Sequence, residues 1–382
     1  MNTIMKKGLW IYIFPALMDF SVAAVLLFSS IRAVELGVSS VVMGILGSVW
    51  GITYSFSSIM LSKVISKKNA PWFMIASCIS FIFIGGFFYF CVSLFPLFVL
   101  LFLGGFCSSF FFVGFQIFMG NNTGLAYHKS SAFYTLSWSG GMAFGSLAEG
   151  SLINSGVFYA QLPIFISSLI IISGIILSEK IKKPLDVIIE EDKKEAQRSP
   201  FVKKYVWIAW AEIFCVALVT TGVRYLLPKV AISSFMFSKQ MAGIAVFVFF
   251  IFQAIAGYAV SFFSVFRYRI SSHHIMKLLG IISLIVPLVF YKSAAIFIFA
   301  GLLGIYAGHA FYTSVFYAIN DEEKSGFNIG INEALVGIAS VCGPFLLGIM
   351  LNISIGWFLL FPCIILFLAG LVQHLFLRYS AI

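Results

Sequence analysis

Charge is what this 382-residue chain has least of. Only 10% of its residues are Asp, Glu, Lys or Arg, against roughly 25% in a soluble domain. With 61% hydrophobic residues and a mean hydropathy of +1.05, the chain cannot cover a water-facing surface of ordinary size. Lipid must solvate most of it. Acid is scarcer than base, 14 residues against 24, for a formal net charge of +10. In a soluble protein that excess would raise nucleic acid as a partner. Here the positive residues sit in short loops and follow membrane topology, so nucleic acid is not expected.

Other absences exclude whole classes of chemistry. No HExxH, GxSxG or GxxxxGK[ST] stretch occurs, which speaks against a zincin, a serine hydrolase and a nucleotide-driven pump. The six cysteines (Cys78, Cys91, Cys107, Cys215, Cys342 and Cys363) all lie in apolar stretches with no CxxC spacing. They read as small buried hydrophobes, without disulfides or a metal. No cofactor, no metal and no enzyme activity are expected.

What is abundant is long apolar runs. A helix needs about 20 such residues to cross the hydrocarbon core. Spans are predicted at 8–30, 38–61, 71–92, 95–119, 131–153, 157–178, 205–228, 238–262, 274–291, 293–318, 327–351 and 355–377. Lys6 and Lys7 ahead of the first run resemble a signal peptide. The run is too long for one and contains Asp19, so it is read as the first span. Twelve spans put both termini on one side. If that side is the cytoplasm, nineteen of the 24 Lys and Arg residues fall inside, as the positive-inside rule asks. Arg32, Arg224, Lys229, Lys239 and Lys292 fall outside; Lys277, near the inner start of the ninth span, counts with the inner charges, and His273 and His274 read as surface residues of a basic inner loop. A bacterial cytoplasmic (inner) membrane is the expected location.

The chain divides into 1–178 and 205–382, six spans each, joined by the polar stretch 179–204. The halves repeat. Asp19 is followed by Arg32 in the first span, and Glu212 by Arg224 in the seventh. Gly145-Ser146-Leu147-Ala148-Glu149-Gly150 in the fifth span matches Gly343-Pro344-Phe345-Leu346-Leu347-Gly348 in the eleventh. Small residues at such spacings let helices approach closely in lipid.

With twelve spans, a 6+6 repeat and a cytoplasmic linker, the chain resembles the major facilitator superfamily over its whole length. The resemblance implies an all-α integral membrane fold of two pseudo-symmetric six-helix bundles. It also implies alternating access about a midplane site. Helices one, four, seven and ten are then expected to line the cavity; three, six, nine and twelve face lipid. The usual Gly-x-x-x-Asp-Arg loop after helix two is replaced by a stretch with Lys63, Lys67 and Lys68 that keeps only its basic character. The fifth helix resembles the exporter glycine motif with Ser146 in place of Pro.

Ionisable groups in hydrocarbon cost at least ~2.5–3.5 kcal/mol at a helix centre, so they mark function by default. Asp19, Glu149, Glu212, Glu333 and His309 are the transport or proton-coupling residues expected on this ground. Each has a structural alternative: a cap for Glu333, a hydrated helix end for Glu149, a fixed ion pair for Asp19 or Glu212, a satisfied core group for His309. Arg32, Arg224, Lys63 and Lys67 are gate candidates, with snorkelling to the interface as the alternative. Gln116, Asn121, Tyr134, Trp138, Tyr306, Tyr312 and Asn332 are expected to line the cavity. The chain thus reads as a monomeric secondary transporter of a small solute, surrounded by lipid. Protons are the expected coupling ion and export the favoured direction. An uncoupled facilitator, or a receptor or scaffold on a transporter fold, is the alternative.

Overall fold

The computed structural model describes residues 9–122, 127–180, 202–263, 266, 269–320 and 325–379. Among them are twelve long helices and no strand. They are α1 (Ile13–Glu35), α2 (Ser40–Leu61), α3 (Ala70–Phe87), α4 (Leu94–Asn122), α5 (Tyr127–Leu152) and α6 (Val157–Lys180). The second half holds α7 (Val202–Phe235), α8 (Lys239–Val260), α9 (Ile270–Val289), α10 (Ser293–Asn320), α11 (Ser325–Ile353) and α12 (Ile355–Tyr379). Eleven are long and apolar enough on their own to cross a membrane. The other, α5, is diluted by Ser and Gly and is carried by its neighbours. The chain is therefore a multi-pass integral membrane protein.

The repeat is visible at the start of the second helix of each half. Ser39 caps α2 by accepting a hydrogen bond from Val42 N at 3.4 Å, and Ser238 caps α8 by accepting one from Met241 N at 3.2 Å. Each hydroxyl satisfies a backbone donor left open by the helix start. The turns ahead of the caps use the left-handed region at Gly37 (φ 66°) and Met236 (φ 57°). Gly adopts that conformation freely; exposed Met236 holds it at the end of α7, where Phe237 N donates to Ala231 O at 3.0 Å.

The glycine stripes do what their spacing predicts. Gly141 and Gly145 of α5 sit against the Ala16 and Phe20 carbonyls of α1. Gly222 of α7 and Gly343 of α11 abut in the same way in the other half. Close backbone approach of this kind replaces the hydrophobic drive that lipid cannot supply. The two bundles, α1–α6 and α7–α12, then meet along α2 with α11 and α5 with α8. Large apolar side chains point outward from the outer helices, such as Phe83 of α3, Leu177 of α6, Ile275 of α9 and Phe367 of α12. This belt faces lipid.

Two boundaries differ from the expected ones. The seventh span does not stop at 228. Pro228 lies inside α7, which runs on to Phe235, because surrounding helices and side chains can re-satisfy a backbone group freed by Pro in a membrane helix. The ninth helix starts at Ile270, so His273 belongs to it and not to a loop, and Lys277 lies two turns inside it. Both are buried. Lys277 is thus removed from the loop charges that favour the predicted orientation. The linker expected at 179–204 falls almost wholly outside the described residues.

Candidate functional site

A cavity of about 190 Å³ lies between the bundles. Its walls come from α1, α2, α4 and α5 on one side and α7, α8, α10 and α11 on the other. None of α3, α6, α9 or α12 contributes, as expected from the resemblance. Polar side chains such as Ser108, Thr220, Thr221 and Ser340 alternate with an aromatic wall of Trp50, Tyr54, Phe112, Tyr134, Trp138, Phe249, Phe250 and Phe311. Trp138 sets its edge against Phe311 (5.3 Å) and Phe250 (6.5 Å), tying an α5 ring to rings of the opposite bundle.

Three ionisable side chains border this space: Asp19 of α1, Arg224 of α7 and Glu333 of α11. Asp19 is 7% exposed, and its Oδ2 has no hydrogen-bond partner. Arg224 is the opposite charge acting on it, yet the two close no ion pair within 4 Å. Glu333 is surrounded by helices but reached by solvent through the cavity. Gln116 stands beside both Glu333 and Tyr134. Asn332, buried, leaves its Oδ1 without a partner. An uncompensated charge in a low-dielectric site is costly, and these groups leave that cost unmet among themselves.

One end of the cavity is pinched shut, at the α1–α2, α7–α8 and α11–α12 turns. Ser30 Oγ donates to Tyr225 O at 2.8 Å, and Ser48 Oγ donates to Val341 O at 2.6 Å, both across the bundle interface. Glu35, at the end of α1, is held by Arg32 of its own helix and by Lys239 of α8. Lys229 Nζ donates to Val38 O. Toward the other end, at the α4–α5 and α10–α11 turns, Glu333 is exposed.

The expected site residues distribute unevenly over this architecture. Asp19, Glu333, Gln116, Tyr134, Trp138 and Asn332 all border the cavity. Arg224, expected at the outer end of its helix, borders it too, because α7 extends eleven residues beyond it. Arg32 does sit at a helix end, where it also donates to Cys91 O at 3.3 Å. Lys63 and Lys67 are exposed on the α2–α3 turn, which Asn69 fixes by accepting from Ser66 N (2.6 Å) and donating to Val64 O (3.1 Å). The side chain of Asn121 lies outside the described ones.

The rest lie off the cavity. Tyr306 and Tyr312 are fully buried in α10 packing, not on the cavity wall. Glu149 is not hydrated at a helix end. It is 0% exposed, with neither carboxylate oxygen paired, because α8 packs onto α5 at the neighbouring Gly150. Glu212 and His309 sit in a polar network inside the second bundle. Lys277 Nζ contacts Glu212 Oε2 and donates to Gln373 Oε1 at 2.6 Å. Gln373 Nε2 donates to Glu212 Oε2 at 3.1 Å and to Ile208 O at 3.0 Å. His273 Nδ1 is 3.8 Å from Glu212 Oε2, and its Nε2 lies 3.3 Å from the Tyr317 hydroxyl. His309 Nε2 pairs with Ser272 Oγ at 2.9 Å.

This network places two ionisable residues, His273 and Lys277, on α9, one of the helices expected to face lipid. The sequence signal was there in the i,i+4 spacing of His273 and Lys277 on an apolar helix. It was hidden by the basic residues just before it, Arg267 and Arg269, which make the start of α9 look like a loop. Gln253, a polar residue that the sequence also places near the cavity, borders it and donates to Ser139 Oγ across the interface at 2.9 Å. Among the described residues no cluster of metal-ligating side chains occurs.

A family model described as Major Facilitator Superfamily matches residues 9–321. No curated protein sequence matches the chain. Among solved structures, the chain is similar to a bacterial homolog of the human lysosomal transporter Spinster. The inward-facing, unoccupied form aligns with a TM-score of 0.66 at 12% identity, covering 100% of this chain and 96% of that one. The inward-facing, occupied form gives the same TM-score and identity over 99% and 98%. The human organic anion transporter MFSD10 (TETRAN) aligns with a TM-score of 0.63 at 11% identity over 98% and 100%. At these identities the structural likeness establishes the fold alone.

Proposed function

Because this chain belongs to the major facilitator superfamily and is a secondary transporter of that type, we propose that its central cavity is the solute site. The bundles 1–178 and 205–382 rock about that site, tethered by 179–204. The observation that carries this reading is the inter-bundle cavity holding Asp19, Arg224 and Glu333 without a closed ion pair. A site built only for stability would pair such charges or replace them with apolar groups.

Charge distribution supports an orientation with both termini in the cytoplasm of a bacterium. The pinched end then faces outward and the Glu333 end inward. Arg32, Glu35 and Lys239 form the outer latch, and the basic turn with Lys63 and Lys67 flanks the inner gate. Asp19 is proposed as the proton-coupling carboxylate, since it faces the cavity and its counter-charge, Arg224, closes no ion pair with it. Glu212 and His309 are assigned to holding the second bundle together. The fifth-helix glycine stripe favours export, and the functional unit is one chain.

The test is transport by the reconstituted full-length protein under an imposed proton gradient. Gradient-driven movement of a bound solute should disappear in Asp19→Asn while solute exchange at equal pH persists. Unchanged gradient-driven accumulation in that variant would sink the coupling assignment and leave an uncoupled facilitator.

A further inference from the structure

The three charges of the cavity are not equivalent. Asp19 has Arg224 as its counter-charge. Glu333 has none: among the described residues no cation pairs with it, and its polar neighbour is the neutral Gln116. With all three ionised, the cavity carries one negative charge in excess, and that excess sits at Glu333.

The surroundings of Glu333 suit one kind of complement. Tyr54 and Tyr134 border the same cavity as Glu333. Asn332, 3% exposed, borders the cavity with its Oδ1 unpartnered. A carboxylate is an acceptor only, and aromatic faces attract a cation within about 6 Å. Acceptors and tyrosine rings bordering the same space as an unpaired negative charge call for a group that brings positive charge and N–H donors together. The remaining wall sets Trp50, Trp138 and Phe311 among Ser108, Thr220, Thr221, Gln253 and Ser340, and its rings suit a hydrocarbon or aromatic body. Its volume of about 190 Å³ admits a solute of small-amine size.

We propose that the solute is an organic amine, bound as its ammonium form at Glu333 between Tyr54 and Tyr134, with its apolar body along the Trp138 wall. This rests on the cavity being the solute site. An anionic solute would place its charge at Arg224 and leave Glu333 uncompensated.

The test uses the full-length protein in lipid nanodiscs and three probes that share a phenyl body: 2-phenylethylamine, 3-phenylpropanoate and 2-phenylethanol. Binding is read by the fluorescence of the cavity tryptophans and by thermal stabilisation. The amine should bind saturably and at least about tenfold more tightly than the acid or the alcohol, the scale of one charge-assisted contact. Glu333→Gln, nearly isosteric, should remove that preference. Tyr134→Phe should keep amine affinity within about twofold, while Tyr134→Leu loses about three- to tenfold, which separates a ring face from a hydroxyl.

The proposal is overturned if the acid or alcohol binds as tightly as the amine. It is overturned equally if Glu333→Gln leaves the preference intact, or if no saturable amine binding occurs up to about 10 mM, weaker than any useful site. Tight binding of 3-phenylpropanoate that is lost in Arg224→Leu would refute the amine and retain the cavity as the solute site. Amine binding that survives Asp19→Asn without gradient-driven transport would retain the amine and leave only the coupling in question.

Discussion

Gly150 of α5 and Gly243 of α8 meet backbone to backbone across the bundle interface. A Cβ built on Gly150 would stand 2.9 Å from the Gly243 Cα, and the reverse distance is 2.8 Å. Gly44 of α2 and Gly348 of α11 repeat the arrangement on the other flank, at 3.1 and 2.9 Å. The closed end of the cavity therefore depends on positions that admit no side chain at all.

Gly150→Val should hold that end open. Overpacking of a tight contact costs typically 1–3 kcal/mol, enough to shift a two-state equilibrium by about tenfold per 1.4 kcal/mol. Cysteine placed at Ser340, on the cavity wall, should react faster with a membrane-impermeant thiol reagent from the side of the α1–α2 turn. An unchanged rate would show that closure does not run through this crossing.

Glu35 and Lys239 link the bundles at the same end, but with about a quarter to a third of each side chain exposed. Such a pair contributes ~0–1 kcal/mol. Lys239→Glu should leave thermal stability within a few degrees yet raise accessibility from the closed end, because two carboxylates now face each other. The double exchange Glu35→Lys with Lys239→Glu should restore closure in part. Loss of fold in the single variant would contradict a latch role.

Lys277 and Glu212 behave oppositely, since they are 3% and 1% exposed. Removing one partner of a buried pair costs about 3–5 kcal/mol through the charge left behind. Lys277→Met should therefore lower thermal stability strongly, and Glu212→Gln added to it should recover much of the loss. Equal stability of Lys277→Met and the native protein would mean that the pair is not closed in the membrane.

Trp138 joins the bundles through Phe311 and Phe250. Trp138→Ala should weaken solute affinity by about 1 kcal/mol or more, from lost ring contacts, with little effect on the thermal stability of the unliganded protein. A competition assay with any bound solute reads this directly. A fall in stability without a fall in affinity would make Trp138 a packing residue only.

Much of the fold was legible because membrane spanning is a one-dimensional property. Runs of about 20 apolar residues, punctuated by Lys67-Lys68 or Asn154-Ser155-Gly156, announce themselves without knowledge of any contact. The half-repeat was legible for a similar reason: Gly145 and Gly343 recur where a helix must approach its neighbour. Failures came where polarity was satisfied by distant partners. His273 looks like a loop residue and Lys277 like a charge at the inner end of a helix until Glu212, 65 positions away from Lys277, and Gln373 are brought beside them. Arg224 looked like an interfacial anchor because Pro228 seemed to end its helix.

The sequence by itself determined that the chain spans a membrane about twelve times in two related halves, because burial in lipid requires long apolar helices wherever they fold. Only the tertiary structure decided which buried charges are spent on stability and which are left open. Glu212 and Asp19 hold matching places in the two halves, and no one-dimensional pattern separates them. The difference is a lysine arriving from α9 at Glu212, and at Asp19 a cavity with Arg224 beyond ion-pair distance.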